Sequence, residues 1–439
     1  MNEEQNINQL PKGWKWVKLG ELCDKISLNK IKIQQKDYLQ EGTYPVVDQG
    51  QDLIGGYYND KNLVIPSEPP YIVFGDHTKV KKYINFNFVA GADGVKVLKA
   101  KDIVDSKFLF YSLFTIKIED KGYARHFQLL EKELFPLPPK PTQQAIVSKI
   151  EELLSELDKG IENLRIARQQ LKTYRQSVLK WAFEGKLTER LRIKEQKLSN
   201  GNAFVKQLNE EREHQQKIKK VKLKPIPSIE DEELLELPKL PNEFAWIRLG
   251  NLLWSVKDGP HYSPKYQSTG IPFISGGSIR PMGIDFGNVK FISEELHNEL
   301  SQRCKPEKGD VLYTKGGTTG IAKVNTYDID FNVWVHVAVL KTLKSINPFY
   351  LEHALNSTHC YKQSQKYTHG VGNQDLGLTR MILITLPICS YEEQGEIVQE
   401  IESRLSVADK MEESIIQSLQ QAEALRQSIL KKAFEGKLI

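Results

Sequence analysis

The chain is poor in cysteine and has no long apolar run. It has four cysteines, Cys23, Cys304, Cys360 and Cys389, and none forms a Cys-x-x-Cys pair. This spacing favours free thiols in a reducing cytosol over disulfides or a zinc site. The apolar stretch from Met381 to Cys389 is far shorter than the ~20 residues of a membrane helix. The polar, acidic start shows no signal peptide, so we expect a cytoplasmic protein without a membrane contact.

A strong excess of one charge is also missing. The 61 Lys and Arg residues against 56 Asp and Glu give a net charge of +5. This balance is compatible with a nucleic-acid partner but does not require one. The length of 439 residues, with 40% hydrophobic residues, exceeds one ordinary core and predicts at least two domains.

A tandem repeat organises the chain. Residues 10–20 (LPKGWKWVKLG) recur as 240–250 (LPNEFAWIRLG), and 175–187 (RQSVLKWAFEGKL) recur as 426–438 (RQSILKKAFEGKL). The second offset, 251 residues, also relates Gln143 to Gln394. The interiors between these anchors show almost no resemblance, and the second is larger. The chain is therefore a duplication with two different interiors.

Each copy ends in a long helix with a narrow apolar stripe. Apolar residues recur at steps of three and four, which is typical of a coiled-coil seam. The first stripe comprises Ile146, Ile150, Leu153, Leu157, Ile161, Leu164, Leu171, Val178 and Ala182, and the second comprises Ile397, Ile401, Leu405, Ala408, Met411, Ile415, Leu419, Ala422, Leu425, Ile429 and Ala433. Each helix should end at a C-cap glycine, Gly185 or Gly436. We expect the two helices to pair in antiparallel fashion, because the link between them is then local.

These patterns predict an α+β protein, with two mixed α/β domains separated by a long two-helix antiparallel coiled coil and related as a pseudo-twofold tandem repeat. The predicted boundaries are 1–141 and 240–390 for the mixed domains, 142–187 and 391–439 for the helices, and 188–239 for a charged connector. For the connector we favour a solvated linker with one short helix near 202–216. A DNA-contacting basic strip from Lys217 to Lys224 is the alternative.

Two unlike domains held apart by a rod of ~60 Å suit a split DNA site, whose half-sites lie ~34 Å apart per helical turn. The repeated Leu-Pro-x4-Trp-[Val/Ile]-[Lys/Arg]-Leu-Gly start, the Pro-x6-Gln-x2-Ile-Val helix entry and the Arg-Gln-Ser-[Val/Ile]-Leu-Lys-x-Ala-Phe-Glu-Gly-Lys-Leu end resemble the specificity subunit of Type I restriction-modification systems. So do the segments 259–274, 309–312 and 316–320. The resemblance covers nearly the whole chain.

This resemblance implies two target-recognition domains that bind double-stranded DNA at a bipartite, asymmetric site. It also implies two methyltransferase subunits and the restriction/translocase subunits as partners. Adenine methylation and ATP-dependent cleavage would belong to those partners, and so would S-adenosylmethionine, ATP and Mg. We therefore expect the chain to be non-catalytic and to hold no cofactor or metal of its own. A coiled-coil adaptor whose domains bind protein is the alternative from another class.

Four motifs favour structural interpretations over chemistry. Glu68-Pro-Pro-Tyr71 and Asn347-Pro-Phe-Tyr350 each depart at one position from the catalytic loop of amino-methyltransferases, and Asn347 fits a helix N-cap. Gly316-Gly-Thr-Thr-Gly320 lacks the Gly-Lys-Ser/Thr ending of a P-loop, which argues against nucleotide binding. A hairpin or tight loop is favoured, and a loop whose backbone N–H groups and lysines contact DNA phosphate is the alternative. His353, His359 and Cys360 have no second ligand pair for a metal. Trp16 and Trp246 are predicted to be core anchors.

The candidate DNA contacts are basic, polar and loop-forming residues of the two interiors. They are His77, Lys79, Lys81, Lys82, Arg125, His126, Lys257, His261, Tyr262, Lys265, Tyr266, Lys315, Gly316, Gly317, Thr318, Thr319, Lys323, His369 and Asn373. The repeated helix ends predict docking sites for two copies of one partner. Their candidate residues are Arg175, Gln176, Phe183, Glu184, Arg426, Gln427, Phe434 and Glu435. Shared coil packing is the alternative explanation for that repeat.

Overall fold

The computed structural model describes residues 10–29, 31–91, 93–119, 122, 124–194, 200–220, 225–370 and 374–439. The chain divides into two compact units. Unit 1 comprises Met1–Ala167 with Ser414–Ile439, and unit 2 comprises Arg168–Glu413. Both divisions fall inside the long helices, so each unit contains one end of each helix.

Unit 1 begins with a mixed domain and contains the start of the first long helix. Its elements are β1 (Lys15–Lys18), α1 (Leu19–Leu22), β2 (Cys23–Ile26), β3 (Tyr44–Val47), β4 (Gly56–Tyr58), β5 (Tyr71–Gly75), β6 (Lys81–Ile84), β7 (Val89–Ala90), β8 (Val95–Ala100), α2 (Ser106–Ser112), α3 (Phe127–Leu130), β9 (Leu134–Leu137) and α4 (Lys140–Phe183). Strand β5 is buried at all five positions, as its aromatic and β-branched residues predict for a central strand.

Unit 2 contains the connector, the second mixed domain and the start of the second long helix. Its elements are α5 (Glu189–Lys194), α6 (Gly201–Lys219), α7 (Asp231–Glu236), β10 (Ala245–Arg248), β11 (Leu253–Asp258), β12 (Ile271–Ile274), β13 (Ile279–Arg280), β14 (Gly283–Ile284), β15 (Lys290–Ile292), α8 (Glu294–Arg303), β16 (Val311–Thr314), β17 (Ala322–Val324), β18 (Asn332–Val333), β19 (Val337–Thr342), α9 (Pro348–Leu355), α10 (Thr358–Tyr367), α11 (Leu378–Met381), β20 (Thr385–Ile388) and α12 (Tyr391–Phe434).

The two mixed domains share one topology despite their unlike sequences. The four-stranded sheets run β2-β8-β5-β6 and β11-β19-β16-β17, and the three-stranded sheets run β4-β3-β7 and β15-β12-β18. In each three-stranded sheet one pair is antiparallel and the other parallel. The ribbons β1-β9 and β10-β20 pair Trp16 with Pro136 and Trp246 with Pro387. Among the described residues, α8, α10 and the β13–β14 hairpin of the second domain have no counterpart in the first.

Within each unit the two long helices run antiparallel. In unit 2, Arg168 and Arg175 of α4 pair with Glu412 and Asp409 of α12, which follow in the reverse order. In unit 1, Asp158 pairs with Arg426, and Ile146, nearer the start of α4, shares a core with Ala433, nearer the end of α12. The predicted α+β class and antiparallel coiled coil are confirmed. Two positions of the predicted seam are wrong, because Met411 and Leu425 are 54% and 50% exposed.

The two strongest sequence repeats meet in space. Gly185 and Gly436 have φ of +72° and +70° and cap the long helices as predicted. A Cβ on Gly185 would lie 2.8 Å from Pro241 Cγ, and one on Gly436 would lie 2.3 Å from Pro11 Cγ. The Leu-Pro start of each copy therefore packs against the helix end of the other copy, within unit 2 and unit 1 respectively.

The connector is not a solvated linker, and the favoured interpretation is wrong on this point. Helix α6 is longer than expected and buries Phe204 (4% exposed) and Leu208 (0%) against the second mixed domain. Arg212 Nε donates to Leu253 O at 3.3 Å, and Glu211 Oε1 accepts from the Lys344 N–H at 2.6 Å. Residues 221–224 of the alternative basic strip lie outside the described residues.

All four cysteines are buried and unpaired. Burial raises the pKa of the Cys23, Cys304 and Cys360 thiols to about 12, with a further contribution from nearby carboxylates at Cys23 and Cys304. These side chains act as small apolar groups. Among the described residues, every helix is too short or too polar for a membrane span.

Candidate nucleic-acid interface

Five connections of unit 2 converge at one end of its sheets. Two of them follow β11 and β12, two join β16 to β17 and β18 to β19, and the fifth comes directly before α11. The Lys315 N–H donates to His336 O at 2.9 Å, and the Leu376 N–H donates to Lys315 O at 2.7 Å. The Trp334 N–H donates to Ile274 O at 2.8 Å. The segments around Ile274, Lys315, Trp334 and Leu376 therefore meet at this end.

Lys315 lies at the centre of this end and is only 3% exposed. Its Nζ lies 2.8 Å from Asp375 Oδ1 and 3.5 Å from Asp258 Oδ2. Asp258 is itself 2% exposed and accepts from Arg303 Nη2 at 2.8 Å. The predicted phosphate contact of Lys315 is wrong, because a buried cation between two carboxylates has nothing to offer a duplex. Lys315 instead joins the segment after β11 to the segment before α11.

The Gly-Gly-Thr-Thr-Gly motif forms the β16–β17 turn, so the hairpin interpretation is confirmed. Gly316 is buried, and a Cβ there would lie 2.0 Å from His336 Nδ1. Thr319 is buried beneath Gln365, whose Nε2 donates to its hydroxyl at 3.1 Å. Lys323 Nζ lies 2.8 Å from Glu352 Oε1. Only Gly317 and Thr318 of the motif are exposed.

The other candidates of unit 2 lie at the surface. Lys257, His261, Tyr262, Lys265 and His369 are exposed, and their role in DNA contact stays a prediction. His261 Nε2 lies 3.3 Å from Asp258 Oδ2, and the Tyr262 carbonyl accepts from Trp334 Nε1 at 3.2 Å. Tyr266 is half-buried beneath the Lys290 ammonium, 4.2 Å from its ring centre. Asn373 lies outside the described residues.

The corresponding end of the sheets in unit 1 has the same backbone contacts, but the residue at its centre has the opposite charge. The Asp76 N–H donates to Gly94 O at 2.6 Å and the His126 N–H donates to Asp76 O at 2.9 Å, which are the counterparts of the two Lys315 bonds. Asp76 is 3% exposed, and its carboxylate lies 3.3 Å from Lys96 Nζ. It also accepts from the Phe127 N–H at 2.8 Å. Asp76 therefore occupies the position that Lys315 occupies in unit 2.

Two candidates of unit 1 are wrong because they are buried. His126 is 0% exposed, with Nδ1 3.0 Å from Asp76 O. Lys82 is 5% exposed, and its Nζ lies 3.6 Å from Asp48 Oδ1 and bonds to Asp52 O. Both side chains hold the fold together and present no polar atom to a duplex.

The remaining candidates of unit 1 lie on or beside the β5–β6 hairpin. His77 is half-buried, with Nδ1 3.1 Å from Ala124 O, and Lys79 occupies the turn with φ of +59°. Lys81 Nζ lies 4.8 Å from the Phe114 ring centre. Burial, and then the Lys79 charge, lowers the pKa of Lys81. Arg125 is exposed. Both units thus have candidates on the same hairpin and on the same segment before the last short helix, and unit 2 has further candidates at the end of β11 and after it.

Comparison with known proteins identifies the family. The model of the family described as Type I restriction modification DNA specificity domain matches residues 11–165 and 243–421. The chain belongs to this family. It is 25% identical to the Type I restriction enzyme EcoDI specificity subunit of Escherichia coli, over 99% of this chain and 90% of that one. It is 29% identical to the EcoBI specificity subunit of Escherichia coli over 70% of this chain, but spans only 59% of that subunit.

Solved structures support the same fold for this specificity-family chain. One, from work on complex assembly and conformational transition of the type I R-M system, has a TM-score of 0.63 at 17% identity and covers 98% of this chain and 99% of that one. The HsdS subunit from Thermoanaerobacter tengcongensis has a TM-score of 0.54 at 18% identity, with coverage of 98% and 99%. At these identities the likeness establishes the fold alone.

Four of the eight candidate positions at the repeated helix ends of this family member make contacts within the chain. Phe183 and Phe434 are 7% and 5% exposed, and their rings pack edge-on or tilted against Tyr350 of α9 and Phe108 of α2, at 5.3 and 5.0 Å between ring centres. Arg175 and Arg426 form the ion pairs that join α4 to α12. Gln176, Glu184, Gln427 and Glu435 remain predictions of a partner contact. Of these, Gln176 Oε1 accepts from the Thr358 hydroxyl at 2.8 Å. Glu184 and Glu435 pair with Lys186 and Lys437, both at 2.7 Å.

The methyltransferase-like motifs of this chain have structural roles. Asn347 caps α9, because its Oδ1 accepts from the Phe349 N–H at 3.0 Å, as predicted. Tyr71 is 1% exposed, its ring packs 5.5 Å from that of Phe88, and its hydroxyl donates to Ser67 O. Within the described ranges, no three His, Cys, Asp or Glu residues group in a way that could hold a metal ion.

Several residues of these two ends escape sequence reasoning. Gln49 joins three segments of unit 1: its Oε1 accepts from the His77 N–H at 3.2 Å, its O from Thr78 Oγ1 at 2.7 Å, and its Nε2 donates to Asp93 O at 2.9 Å. His336 supports the corresponding hairpin of unit 2, and burial, and then Lys315, lowers its pKa. No local motif marks such residues, because their partners are distant in sequence.

Proposed function

We propose that the chain is the subunit of a Type I restriction-modification complex that reads a bipartite, asymmetric DNA site, one half-site with each mixed domain. One observation carries this proposal. The two domains have the same strand order and the same convergent end, yet the residues at that end differ, down to the opposite charges of Asp76 and Lys315. Two domains with one topology but different side chains at this end are suited to recognising two different short DNA sequences.

The exposed candidates suit the two tasks of such a reader. Lys257, Lys265 and Arg125 are exposed cations that can position a domain on phosphates. His261, Tyr262 and Thr318 are exposed donors or acceptors that can reach base edges in a groove. Buried groups such as Lys315 and Asp76 hold these loops in place, so that the contacts are made without further ordering of the backbone.

Catalysis in this proposal belongs to other subunits. Adenine methylation would require a methyltransferase subunit with S-adenosylmethionine, and cleavage a restriction subunit with ATP and Mg. The chain would direct both to the site by binding DNA and these subunits. We propose two methyltransferase subunits, because the coiled coil repeats its sequence at both ends.

Methylation mapping tests this proposal. The chain is co-expressed with the methyltransferase subunit of its own system in a host that lacks adenine methylation, and modified adenines are mapped across the genome. We expect one split target, in which two short specific sequences flank a spacer of fixed length and unspecified sequence. Methylation of one continuous sequence, or methylation that does not change when the chain is omitted, would refute the proposal.

Salt dependence separates DNA reading from the adaptor alternative. Binding of the chain to duplex should weaken steeply between about 50 and 200 mM salt. Binding releases cations condensed on the DNA phosphates, and a higher salt concentration favours their return and hence dissociation of the protein. A flat salt response, with no preference among duplex sequences, would favour an adaptor that binds protein.

A further inference from the structure

The two small ribbons that carry the repeated tryptophans are equivalent in register but not in burial. In unit 1, Lys18, Gly20 and Leu134 are exposed; at the matching positions of unit 2, Arg248, Gly250 and Thr385 are buried. Trp16 is 39% exposed, contrary to its predicted role as a core anchor, whereas Trp246 is half-buried. In the part of the chain that the structure describes, one face of a shared framework is thus open in the first repeat and closed in the second.

The connector closes part of this face in unit 2. Trp246 Nε1 donates to Pro238 O at 3.1 Å. Arg248 Nη2 pairs with Glu233 Oε2 at 2.7 Å and donates to Ser228 O at 3.3 Å. Ile226 covers Gly250, where a Cβ would lie 2.5 Å from Ile226 Cδ1. The cover is therefore an apolar segment with a carboxylate placed over the cation of the ribbon.

Helix α10 closes the rest. The His359 ring lies 4.9 Å from that of Trp246, centre to centre. Gln363 Oε1 accepts from the Thr385 N–H at 2.9 Å. Unit 1 has no helix between α2 and α3 among its described residues. Gly20 accordingly has open space around its Cβ position, and Leu134 is 45% exposed.

We infer that the ribbon face of Trp16, Lys18 and Leu134 is a docking surface for a carboxylate-bearing, partly apolar segment of the methyltransferase subunit. The inference rests on the proposed function. The second repeat shows which chemistry completes this framework: a carboxylate opposite the position of Lys18 and apolar or planar groups over the tryptophan. The same charge pairing is available in the first repeat, because Lys18 stands at the position of Arg248, on the same face of the ribbon as Trp16.

The partner is the methyltransferase subunit because methylation requires that enzyme to be held against a recognition domain, and this ribbon belongs to the frame of one. The connector already fills the equivalent face of unit 2. The contact therefore exists once per chain, and the two methyltransferase subunits are bound unequally.

Oxidative footprinting of the full-length chain tests this inference with an internal control. The oxidation rates of the Trp16 and Trp246 side chains are compared in the isolated chain and in the purified complex with its methyltransferase subunit. In the isolated chain we expect Trp16 to oxidise faster. In the complex the Trp16 rate should fall about fourfold, as expected for a side chain desolvated in an interface core, while the Trp246 rate stays unchanged.

The same experiment separates the possible failures. An unchanged Trp16 rate in a complex that assembles and methylates would overturn the docking surface but leave the proposed function standing. A Trp16 rate as low as that of Trp246 in the isolated chain would mean that the chain fills the face itself, which also overturns the inference. Failure to assemble any methylating complex would count against the proposed function.

Two variants add a binding measurement. Trp16→Ala and Lys18→Glu should each weaken the binding of one methyltransferase subunit about tenfold, so that the complex shifts from 2:1 toward 1:1 at limiting concentration. Lys61→Glu, at an exposed lysine of unit 1 away from this ribbon, is the charge control and should keep the 2:1 complex. Equal 2:1 assembly of all three variants would overturn the inference.

Discussion

Asp76 and Lys315 occupy the same position in two domains of one chain and carry opposite charges. The Asp76 N–H donates to Gly94 O just before β8, and the Lys315 N–H donates to His336 O just before β19. The Asp76 carbonyl accepts from the His126 N–H and the Lys315 carbonyl accepts from the Leu376 N–H, in each case just before a short helix, α3 or α11. Each is 3% exposed and paired, Asp76 with Lys96 and Lys315 with Asp258 and Asp375. The two domains thus hold their loops through the same backbone frame with different ion pairs.

This relationship predicts reciprocal effects on the two half-sites. Lys315→Met removes the ammonium that joins two candidate loops, so discrimination of bases in the second half-site should fall about tenfold, the effect of roughly one lost base contact. Asp76→Asn should do the same for the first half-site. Competition binding with duplexes altered in one half-site at a time measures both effects.

Asp328→Asn, at an exposed residue of unit 2, is the control and should discriminate as the unaltered chain does. A loss shared equally by both half-sites in either variant would mean that these pairs only stabilise the fold, and would contradict the prediction. Thermal unfolding of each variant, measured alongside, shows whether the chain remains folded at the binding temperature.

The interhelical ion pairs predict a small, salt-sensitive coupling. Arg175 contacts both Asp409, at 2.6 Å, and Glu412, at 3.1 Å, and its side chain is 26% exposed. A double-mutant cycle of Arg175→Ala and Asp409→Ala should give a coupling free energy of about 0.5 kcal/mol at low salt, because the Asp409 carboxylate is 49% exposed and water competes for it. Zero coupling at low salt, measured by urea unfolding, would show that the pair does not stabilise the coiled coil.

The connector helix predicts a large effect from a residue outside both mixed domains. Phe204→Ala removes a ring that is 4% exposed and should lower the free energy of unfolding by about 3 kcal/mol. The neighbouring Ala203 is exposed, so Ala203→Ser should cost less than about 0.5 kcal/mol. Denaturant unfolding of the two variants measures the difference. Equal stability would mean that α6 does not pack on the domain.

The pH dependence of stability should include a contribution from His353. Burial, and then the Lys323 charge, lowers its pKa from 6.5 to about 4. Between these two values the unfolded chain binds a proton that the folded chain does not bind, so the free energy of unfolding falls as the pH drops below 6.5. Above pH 6.5 this contribution is fully present, and by pH 4 its loss approaches about 3 kcal/mol.

His353→Gln should flatten that part of the stability curve, whereas His214→Gln, at an exposed histidine of α6, should leave its slope unchanged. Urea unfolding at pH 7, 6, 5 and 4 measures the slopes. Parallel curves for His353→Gln and the unaltered chain would contradict this assignment.

The long helices and their attachment to the mixed domains could be predicted from the sequence repeat, because the repeated residues make the same contacts in both copies. Gln143 and Gln394, related by the 251-residue offset, are 1% and 0% exposed. Each accepts from the N-cap residue of a domain helix, Asp105 at 2.7 Å or Asn347 at 2.8 Å, and so fixes the start of a long helix against its domain. A residue that makes the same bonds in both copies is kept in both, and the sequence therefore shows it.

The loop ends were less predictable, because residue type does not report burial. Lys82, Lys315 and His126 look like surface groups in sequence, but the fold buries each of them beside a distant carboxylate or carbonyl. The shared topology of the two interiors was invisible for a related reason. Strand order depends on which positions are buried, and many different apolar sequences meet that requirement.

Binding-site selection from a duplex library with a randomised central region, using the chain bound to its methyltransferase subunit, tests the central claim most directly. We predict that the recovered sequences contain two different short specific sequences at one fixed separation, with a spacer of unspecified bases between them. Recovery of a single uninterrupted sequence, of the same short sequence twice, or of no preferred sequence would contradict this prediction.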